Sequence, residues 1–180
     1  MTAEPASALV VEVPEAETVV GPWRHRYDPA AEAGMPAHVT VLHPFQPPDE
    51  IDMEVLAAVL EVVGDEPPFT SRFRAVDTFP GGVVWLRPEP DEPFRRLTLL
   101  LADAFPQFPP YGGAFAEPVP HLTIGVALSA DRAAEVSADV APEVGQREIV
   151  AEVSEVALYT RGAEGRWRRR AAFPLGSAAS

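Results

Sequence analysis

Two short segments with the same residue pattern constrain the fold of this chain most strongly. Residues 38–41 read His-Val-Thr-Val, residues 121–124 read His-Leu-Thr-Ile, and together they hold two of the four histidines. Side chains alternate between the two faces of a strand, so the polar residues of each segment share one face and the aliphatic residues share the other. The sequence therefore predicts two strands that each present an imidazole and a hydroxyl: His38 with Thr40, and His121 with Thr123.

The length and the absence of cysteine limit the class of protein. With 180 residues, of which 47% are hydrophobic, the chain can bury a core as one domain of two interleaved lobes over residues 1–180, whose last residues, Ser177–Ser180, are expected to be a disordered tail. The chain has no cysteine, which excludes disulfides and thiolate sites and fits the cytoplasm. Neither a secretory signal nor an apolar stretch of membrane-spanning length is visible. We expect a cytoplasmic monomer with no membrane partner.

The charge balance restricts the partners of the protein. Twenty-seven acidic residues against fourteen basic ones, all arginine, give a net charge of −13. A surface of this charge repels a long polyanion, so extended nucleic-acid binding is not expected. A small or terminal phosphate ester needs only a local basic patch. Arg166 and residues 168–170, beside Trp167, form such a patch, although an exposed edge strand protected from aggregation by charge explains them equally well.

Periodicity predicts a mixed order of strands and helices. The expected strands are 8–13, 37–45, a hairpin over 69–86 turned at Gly81 and Gly82, 121–128, and a closing hairpin of 148–159 with 167–174. The expected helices are 14–26, 49–63 capped by Asp49, 91–105 capped by Asp91, and 129–140, and a loop fills 106–120. The order around the first motif recurs loosely around the second, nearly half a chain later. This repetition predicts an internal duplication.

Beyond the motifs, several flanking segments resemble one known family. They are Pro-Ala before His38, Pro-Phe at 44–45, Phe-Pro at 79–80 with Val-Trp-Leu at 84–86, Pro120, and Phe-Pro-Leu at 173–175. With the paired motifs, the chain is similar to the 2H phosphoesterase superfamily, in its 2′-5′ RNA ligase and cyclic phosphodiesterase branch. The resemblance implies an α+β fold of two pseudo-symmetric antiparallel-sheet lobes, with helices outside and both motifs in a central cleft.

The resemblance also implies a reaction. Members of this branch open 2′,3′-cyclic phosphates or make and break 2′-5′ linkages, without a metal or another cofactor. By analogy, His38 and His121 would serve as the general acid and base, in an order that the sequence leaves open, and Thr40 and Thr123 would donate hydrogen bonds to the phosphoryl oxygens. The partner would be a small nucleotide or an RNA end that carries a cyclic phosphate.

One departure from the family concerns the substrate phosphate. Several relatives place an arginine shortly after the second motif, whereas this chain continues with Gly-Val-Ala at 125–127. Arg72 and Arg74 on the polar face of the central hairpin are candidates for substrate binding, as are the arginines near the C-terminus. Solvated surface arginines are the alternative for each of them.

The other residues leave two further functions open. His43 has the opposite parity to His38, so in an unbroken strand it faces away from the cleft, and His25 between two arginines is expected at the surface. Neither motif has a third ligand at short spacing, which argues against a metal site. The alternatives to a phosphodiesterase are a nucleotide-binding module without turnover and an ATP-independent RNA ligase. The net charge disfavours the ligase, because a ligase must hold two RNA ends.

Overall fold

Eight antiparallel strands form one sheet in the computed structural model, which describes residues 3–177. The strands are β1 (Ala6–Glu12), β2 (His38–Leu42), β3 (Phe69–Phe79), β4 (Val83–Glu89), β5 (Leu122–Gly125), β6 (Ile149–Val153), β7 (Glu155–Arg161) and β8 (Trp167–Pro174). The helices are α1 (Pro14–Tyr27), α2 (Pro29–Glu32), α3 (Met53–Gly64), α4 (Glu92–Ala104) and α5 (Ala130–Gln146), with short 3₁₀ turns at Pro48–Glu50 and Pro110–Gly113.

The strand order divides the sheet into two lobes that mirror each other. It reads β6-β3-β4-β5-β2-β1-β7-β8, so the two motif strands β5 and β2 are neighbours at the centre. We call β2-β1-β7-β8 the first lobe and β5-β4-β3-β6 the second lobe. One helix, α1 or α4, precedes each motif strand, and another, α3 or α5, follows it. The predicted α+β fold with pseudo-symmetric lobes is confirmed.

The two faces of the sheet have different roles. The aliphatic residues of the motif strands, such as Val39 and Leu122, join one core cluster with buried residues of α1, α3, α4 and α5. The helices therefore cover this face, as expected of outer helices. His38 and His121 alternate with those core residues and lie on the opposite face, which we call the cleft face.

A single residue joins the two ends of the sheet. β6 is the edge strand of the second lobe, β7 belongs to the first lobe, and only Ser154 lies between them. The sheet must therefore curl until its ends approach each other. The Leu175 N–H donates to the Ser154 carbonyl at 2.9 Å, which fixes this junction. The curl folds the helices outward and makes the cleft face concave.

Most predicted elements are present, with corrections at their ends. Asp49 does not cap α3, because a 3₁₀ turn intervenes; Asp52 is the cap and accepts hydrogen bonds from two backbone N–H groups. Such a cap contributes about 1 kcal/mol. Asp91 precedes α4 as predicted, but its carboxylate binds Arg95 instead of the helix N-terminus. The predicted strand 148–159 is two strands, β6 and β7. The predicted tail lies, from residue 178 on, outside the described residues.

Candidate active site

The register of the central strands brings the two motifs together. β2 and β5 pair antiparallel with Val39 opposite Leu122. One step along the ladder in each direction, His38 therefore lies opposite Thr123 and Thr40 lies opposite His121. Residues opposite each other share a face at about 5 Å, and the diagonal neighbours His38 and His121 are separated by roughly 7–8 Å. The four side chains form a quartet with a local twofold arrangement.

Both histidines are held in the same tautomer by the same local contact. His38 Nδ1 lies 2.8 Å from the Pro36 carbonyl oxygen, and His121 Nδ1 lies 2.7 Å from that of Val119. A carbonyl oxygen only accepts, so each Nδ1 carries the hydrogen and donates it. The Nε2 atom of each ring keeps its lone pair, free to take a proton. The residue two positions before each histidine thus positions its ring.

A β-bulge changes the direction in which β2 ends. Leu9 lies opposite Leu42 while Val10 lies opposite Thr40, so Val41 is an extra residue in β2. The Thr98 hydroxyl of α4 donates to the Val41 carbonyl at 2.8 Å. Because Val41 and Leu42 both enter the core, His43 turns to the cleft face. The expectation that His43 faces away was made for an unbroken strand, and the bulge interrupts the alternation on which it depends.

His43 has the same tether as the two motif histidines. Its Nδ1 lies 3.1 Å from the Ser7 carbonyl oxygen and its ring lies 6.2 Å from that of Trp167, so this Nδ1 also donates and its Nε2 is free. The Tyr111 N–H donates to the His43 carbonyl at 2.6 Å. His43 therefore links the first lobe to the loop that precedes the second motif.

A buried arginine ties the two motif strands to α1. Arg24 is 1% exposed, and its guanidinium donates to Glu17 at 2.8 Å and to Asp28 at 3.0 Å. It also donates to two backbone carbonyls at 3.2 Å, those of Thr123 in the second motif and Met35 before the first. One side chain thus bridges the backbone of both motif regions. Burial raises the pKa of Asp28 against the opposing effect of the Arg24 charge.

Burial and nearby cations make His38 hard to protonate. Burial lowers the pKa of His38 to about 4, and the charges of Arg24, His121 and His43 add to this effect, while the contact with the Pro36 carbonyl opposes it. Burial also lowers the pKa of His121, but no cation contributes there. Burial, together with Arg161, lowers the pKa of His43. His38 is therefore neutral at pH 7 in the free protein.

Aromatic rings surround His121 on the second-lobe side. The Phe79 ring lies edge-on to the imidazole at 5.1 Å, Trp85 lies at 5.9 Å, and Tyr111 stacks on it at 6.3 Å. The Phe79 and Tyr111 rings, with Phe115 and His121, border a cavity of about 410 Å³ that also reaches Val83, Pro118 and Val119. We call this cavity the aromatic slot. It offers flat apolar walls directly beside a motif histidine.

Tyr111 joins the aromatic slot to the quartet. Its side chain shares a hydrogen bond with Thr40, and burial raises its pKa to about 12. Its backbone has φ 53°, in the left-handed region that side chains rarely adopt. Strain of this kind persists where the surroundings fix it, here through the hydrogen bond of its N–H with His43. The loop 106–120 thus places a phenol between the two motifs.

The buried indole N–H of Trp85 is another unusual polar group. Trp85 lies opposite Thr123 and is 4% exposed. Its Nε1 has no hydrogen-bond partner within residues 3–177. A buried donor without a partner costs about 1–3 kcal/mol, which an acceptor on a ligand would recover.

The predicted substrate-binding arginines lie elsewhere. Arg72 and Arg74 both donate to Glu148, at 3.3 Å and 3.0 Å. Arg74 lies five residues before Phe79 on β3, which corresponds to roughly 16 Å along a strand, and Arg72 lies farther away. The structure does not bring these two arginines to the quartet.

The C-terminal arginines occupy an edge strand, as one of the two interpretations expected. β8 is the last strand of the sheet order. Arg168 binds Glu164, Arg169 binds Glu12 and Glu155, and Arg170 donates to the carbonyls of Pro48 and Ile51. These three side chains are therefore committed to contacts within the protein.

Neither a metal-binding cluster nor a membrane-spanning helix is present in the described part of the chain. Over residues 3–177, no three or more His, Cys, Asp or Glu side chains are grouped to hold a metal ion. In the same range, no helix has the length and apolar character that a membrane crossing requires.

An eight-stranded curled sheet with a His-Thr quartet at its centre defines a class of protein, and comparison with known proteins agrees with it. A family profile described as "2'-5' RNA ligase superfamily" matches residues 11–165. The chain belongs to this superfamily. A Bacillus pumilus (strain SAFR-032) protein named "Putative phosphoesterase" is 32% identical over 123 residues, which cover 67% of this chain and 68% of that protein.

Solved structures share the fold at lower identity. TT0787 of Thermus thermophilus has a TM-score of 0.62 at 21% identity, covering 95% of this chain and 98% of that one. E. coli LigT complexed with NADP+ has a TM-score of 0.57 at 23% identity, and the same protein complexed with 3'-AMP has 0.56 at 22%; each covers 96% of this chain and 99% of the other. At these identities the likeness establishes the fold alone.

Sequence reasoning missed several residues that position or border the two motifs. Arg24 lies beside His25 and Arg26 in the sequence and resembles a surface residue; only its position on the buried side of α1 distinguishes it. Tyr111 had a detectable signal, since it is an aromatic residue between Pro-Pro and Gly-Gly in the loop before the second motif. Arg161 had none.

Proposed function

We propose that this protein is a metal-independent phosphodiesterase that acts on 2′,3′-cyclic phosphate ends or 2′-5′ linkages of nucleotides and RNA. The observation that carries the proposal is the register of β2 and β5, which sets each motif histidine opposite the threonine of the other motif. Two imidazoles with free Nε2 atoms and two hydroxyls then share one face of the two central strands. Membership of the 2′-5′ RNA ligase superfamily supports the same reaction class.

The quartet divides the chemistry between its members. In ring opening, one neutral imidazole removes a proton from the attacking water, and the other imidazole, protonated, gives a proton to the leaving ribose oxygen. Thr40 and Thr123 donate to the non-bridging oxygens, where charge develops. The phenol of Tyr111 stays protonated at neutral pH, so it can donate to Thr40 and leave the threonine hydrogen for the phosphate.

We infer the two roles from the surroundings of the two histidines. Burial, with smaller effects of Arg24, His121 and His43, lowers the pKa of His38, so this imidazole is neutral at pH 7. A neutral imidazole can accept a proton, and His38 therefore acts as the base. His121 has burial as its only opposing influence. The negative substrate phosphate favours a proton on it, so His121 acts as the acid.

The aromatic slot supports a nucleotide substrate. Base stacking on aromatic side chains contributes about 1–3 kcal/mol per base and tolerates any base. Phe79, Tyr111 and Phe115 supply such faces beside His121. LigT of E. coli, which shares this fold, is known in complex with 3'-AMP and with NADP+, and both ligands are nucleotides.

Hydrolysis of 2′,3′-cyclic nucleotides in the presence of EDTA tests the proposal. We expect turnover by the native protein, and a loss on the order of 10² to 10⁴ in kcat for His38→Ala and for His121→Ala. Phosphorus NMR of the product identifies which ribose oxygen leaves. His25→Ala is the matched control, because His25 is exposed on α1, and it should keep full activity.

Three results would contradict the proposal. Turnover abolished by EDTA and restored by a metal would overturn the metal-independent mechanism. Nucleotide binding with no turnover would identify the protein as a binding module instead. Joining of RNA ends in preference to hydrolysis would identify a ligase.

A further inference from the structure

On the first-lobe side of the cleft, a second cluster of polar and aromatic residues is not used by the proposed chemistry. Arg161 lies at the end of β7, directly opposite Trp167 of β8, and its guanidinium carbon lies 5.1 Å from the Trp167 ring centre. His43 packs edge-on to the same indole at 6.2 Å. We call these three residues the first-lobe subsite.

The subsite lies on the cleft face. Ala8 is opposite Tyr159 and Val10 is opposite Thr40, so alternation puts Arg161 on the same face as the quartet. The connection is also electrostatic, because the charge of Arg161 acts on His43 and that of His43 acts on His38. Arg161 and the quartet therefore border one continuous surface, with His43 between them.

Arg161 has donors that the protein leaves unused. One Nη2 hydrogen goes to the Glu4 carbonyl at 3.1 Å. The Nε atom is buried and finds no hydrogen-bond partner in residues 3–177, and within the same residues no carboxylate forms an ion pair with this guanidinium. On the neighbouring strand, Arg168 and Arg169 each bind a glutamate. In a chain of net charge −13, an arginine that keeps its charge uncompensated on the cleft face is distinctive.

The geometry of the group suits a phosphate. The guanidinium carbon lies over the Trp167 ring, and apart from the Nη2 hydrogen bond with the Glu4 carbonyl its N–H groups have no acceptor within residues 3–177. A guanidinium of this kind can donate to phosphate oxygens while it packs on an aromatic face. Hydrogen bonds between charged partners are about twice as strong as neutral ones.

We propose that Arg161, supported by Trp167 and His43, binds a second phosphate of the substrate, attached to O5′ of the nucleotide whose cyclic phosphate occupies the quartet. The inference rests on the proposed function and names its substrate class. A 2′,3′-cyclic phosphate uses both the 2′ and the 3′ oxygens, so O5′ is the remaining ribose oxygen that can carry a phosphate. That phosphate is either terminal or the diester link to a preceding nucleotide.

Binding by the native protein tests the subsite without any turnover. Titration calorimetry compares adenosine 3′-monophosphate with adenosine 3′,5′-bisphosphate, neither of which contains a cyclic phosphate. We expect the bisphosphate to bind about 10- to 100-fold more tightly, and Arg161→Gln to remove that difference. Arg161→Lys keeps the positive charge but loses the paired N–H groups of the guanidinium, so it should keep part of the affinity difference. Arg168→Gln is the matched control on the next strand and should keep all of it.

Turnover then separates the two sources of the phosphate. The substrates are adenosine 2′,3′-cyclic phosphate, its 5′-phosphorylated form, and a dinucleotide that ends in a cyclic phosphate. Faster turnover of the 5′-phosphorylated mononucleotide than of the other two substrates indicates a terminal phosphate. Turnover of the dinucleotide that is as fast or faster indicates an RNA end. Arg161→Gln should reduce either preference about 10-fold or more and spare the unphosphorylated substrate.

The possible failures are distinguishable. Equal affinity of the native protein for the two adenosine phosphates, or an unchanged difference in Arg161→Gln, would overturn the subsite even if cyclic nucleotides are hydrolysed. An Arg161-dependent difference in binding without any hydrolysis would support the subsite and overturn the phosphodiesterase.

Discussion

The two sides of the cleft carry the same motif in different surroundings. Both histidines donate through Nδ1 to the carbonyl two residues earlier, and each faces the threonine of the other motif. Beside His121, the neighbours are aromatic rings of β3, β4 and the loop before β5. Beside His38, they are the His43 imidazole and the buried Arg24, with Glu12 opposite on β1, and the charge of Arg161 acts on His43.

The difference teaches how a nearly symmetric quartet acquires a direction. Two identical imidazoles would serve equally as acid or base, and a substrate could bind in either orientation. Burial, with a smaller contribution from the Arg24 charge, keeps His38 neutral, and the proposed function places an uncharged base in the aromatic slot. Under that proposal, the symmetric centre supplies the paired donors and acceptors, and the different surroundings on the two sides set their roles.

The largest effect on kcat is expected from replacing each motif histidine, and a substrate with a good leaving group then tells the acid from the base. His38→Gln and His121→Gln should each reduce kcat for a cyclic nucleotide by about 10² to 10⁴. With a 4-nitrophenyl phosphodiester, whose leaving group needs no acid, His121→Gln should regain most of its activity, whereas His38→Gln should not. Steady-state kinetics on both substrates measures this. Recovery by the His38 variant instead would reverse the roles that we assign to the two sides.

Removing the arginine that bridges the two motif regions should be costly for stability. Arg24→Met leaves Glu17 and Asp28 without their buried partner, and breaking such a group costs about 3–5 kcal/mol. Urea unfolding monitored by circular dichroism measures the change. Arg132→Met, which removes a half-exposed pair with Glu135 on α5, is the control and should cost less than about 1 kcal/mol. Equal losses would show that Arg24 does no more than a surface arginine.

The pH dependence of stability sharpens the contrast between the two histidines. The pKa of His38 is about 4 in the folded protein and 6.5 when unfolded, so the unfolded state binds more protons between these values. Its contribution to stability is therefore complete above pH 6.5 and is lost as the pH falls through 4. The loss between pH 7 and pH 4 should be about 3 kcal/mol smaller in His38→Gln than in the native protein.

The comparison of the native protein with His38→Gln separates the effect of His38 from that of other groups that titrate between pH 7 and pH 4. His43 and His121 also have lowered pKa values, and Asp28 has a raised one. Denaturant unfolding of both proteins at several pH values gives the difference. Parallel curves for the two proteins would show that His38 protonates freely in the folded state.

The smallest effect is expected from the arginines of the central hairpin. Arg72 and Arg74 are about half exposed, share Glu148, and lie on the part of β3 remote from His121. Replacing both by Gln should change kcat/KM less than about twofold, since exposed pairs of this kind contribute little. A loss comparable to that of Arg161→Gln would place the second phosphate on the wrong side of the cleft.

The features that follow from local periodicity were predictable. Alternation placed each His and Thr on one face, and helical spacing located α1, α3, α4 and α5. The facing of His38 and Thr123 depends on the register between strands that are distant in the sequence, which no local pattern encodes. The bulge at Val41, which turns His43 into the cleft, and the burial of Arg24 depend on packing partners from other elements. Tertiary contacts decide all three.

The single-residue junction at Ser154 has a consequence for how the protein is made. The second lobe is one continuous stretch, β3 to β6, whereas the first lobe combines β1 and β2 with β7 and β8 from the far end of the chain. The residues that line the aromatic slot all precede β6, whereas Arg161 and Trp167 of the first-lobe subsite follow it. The ribosome therefore makes the aromatic side of the cleft in full before it adds the cationic side.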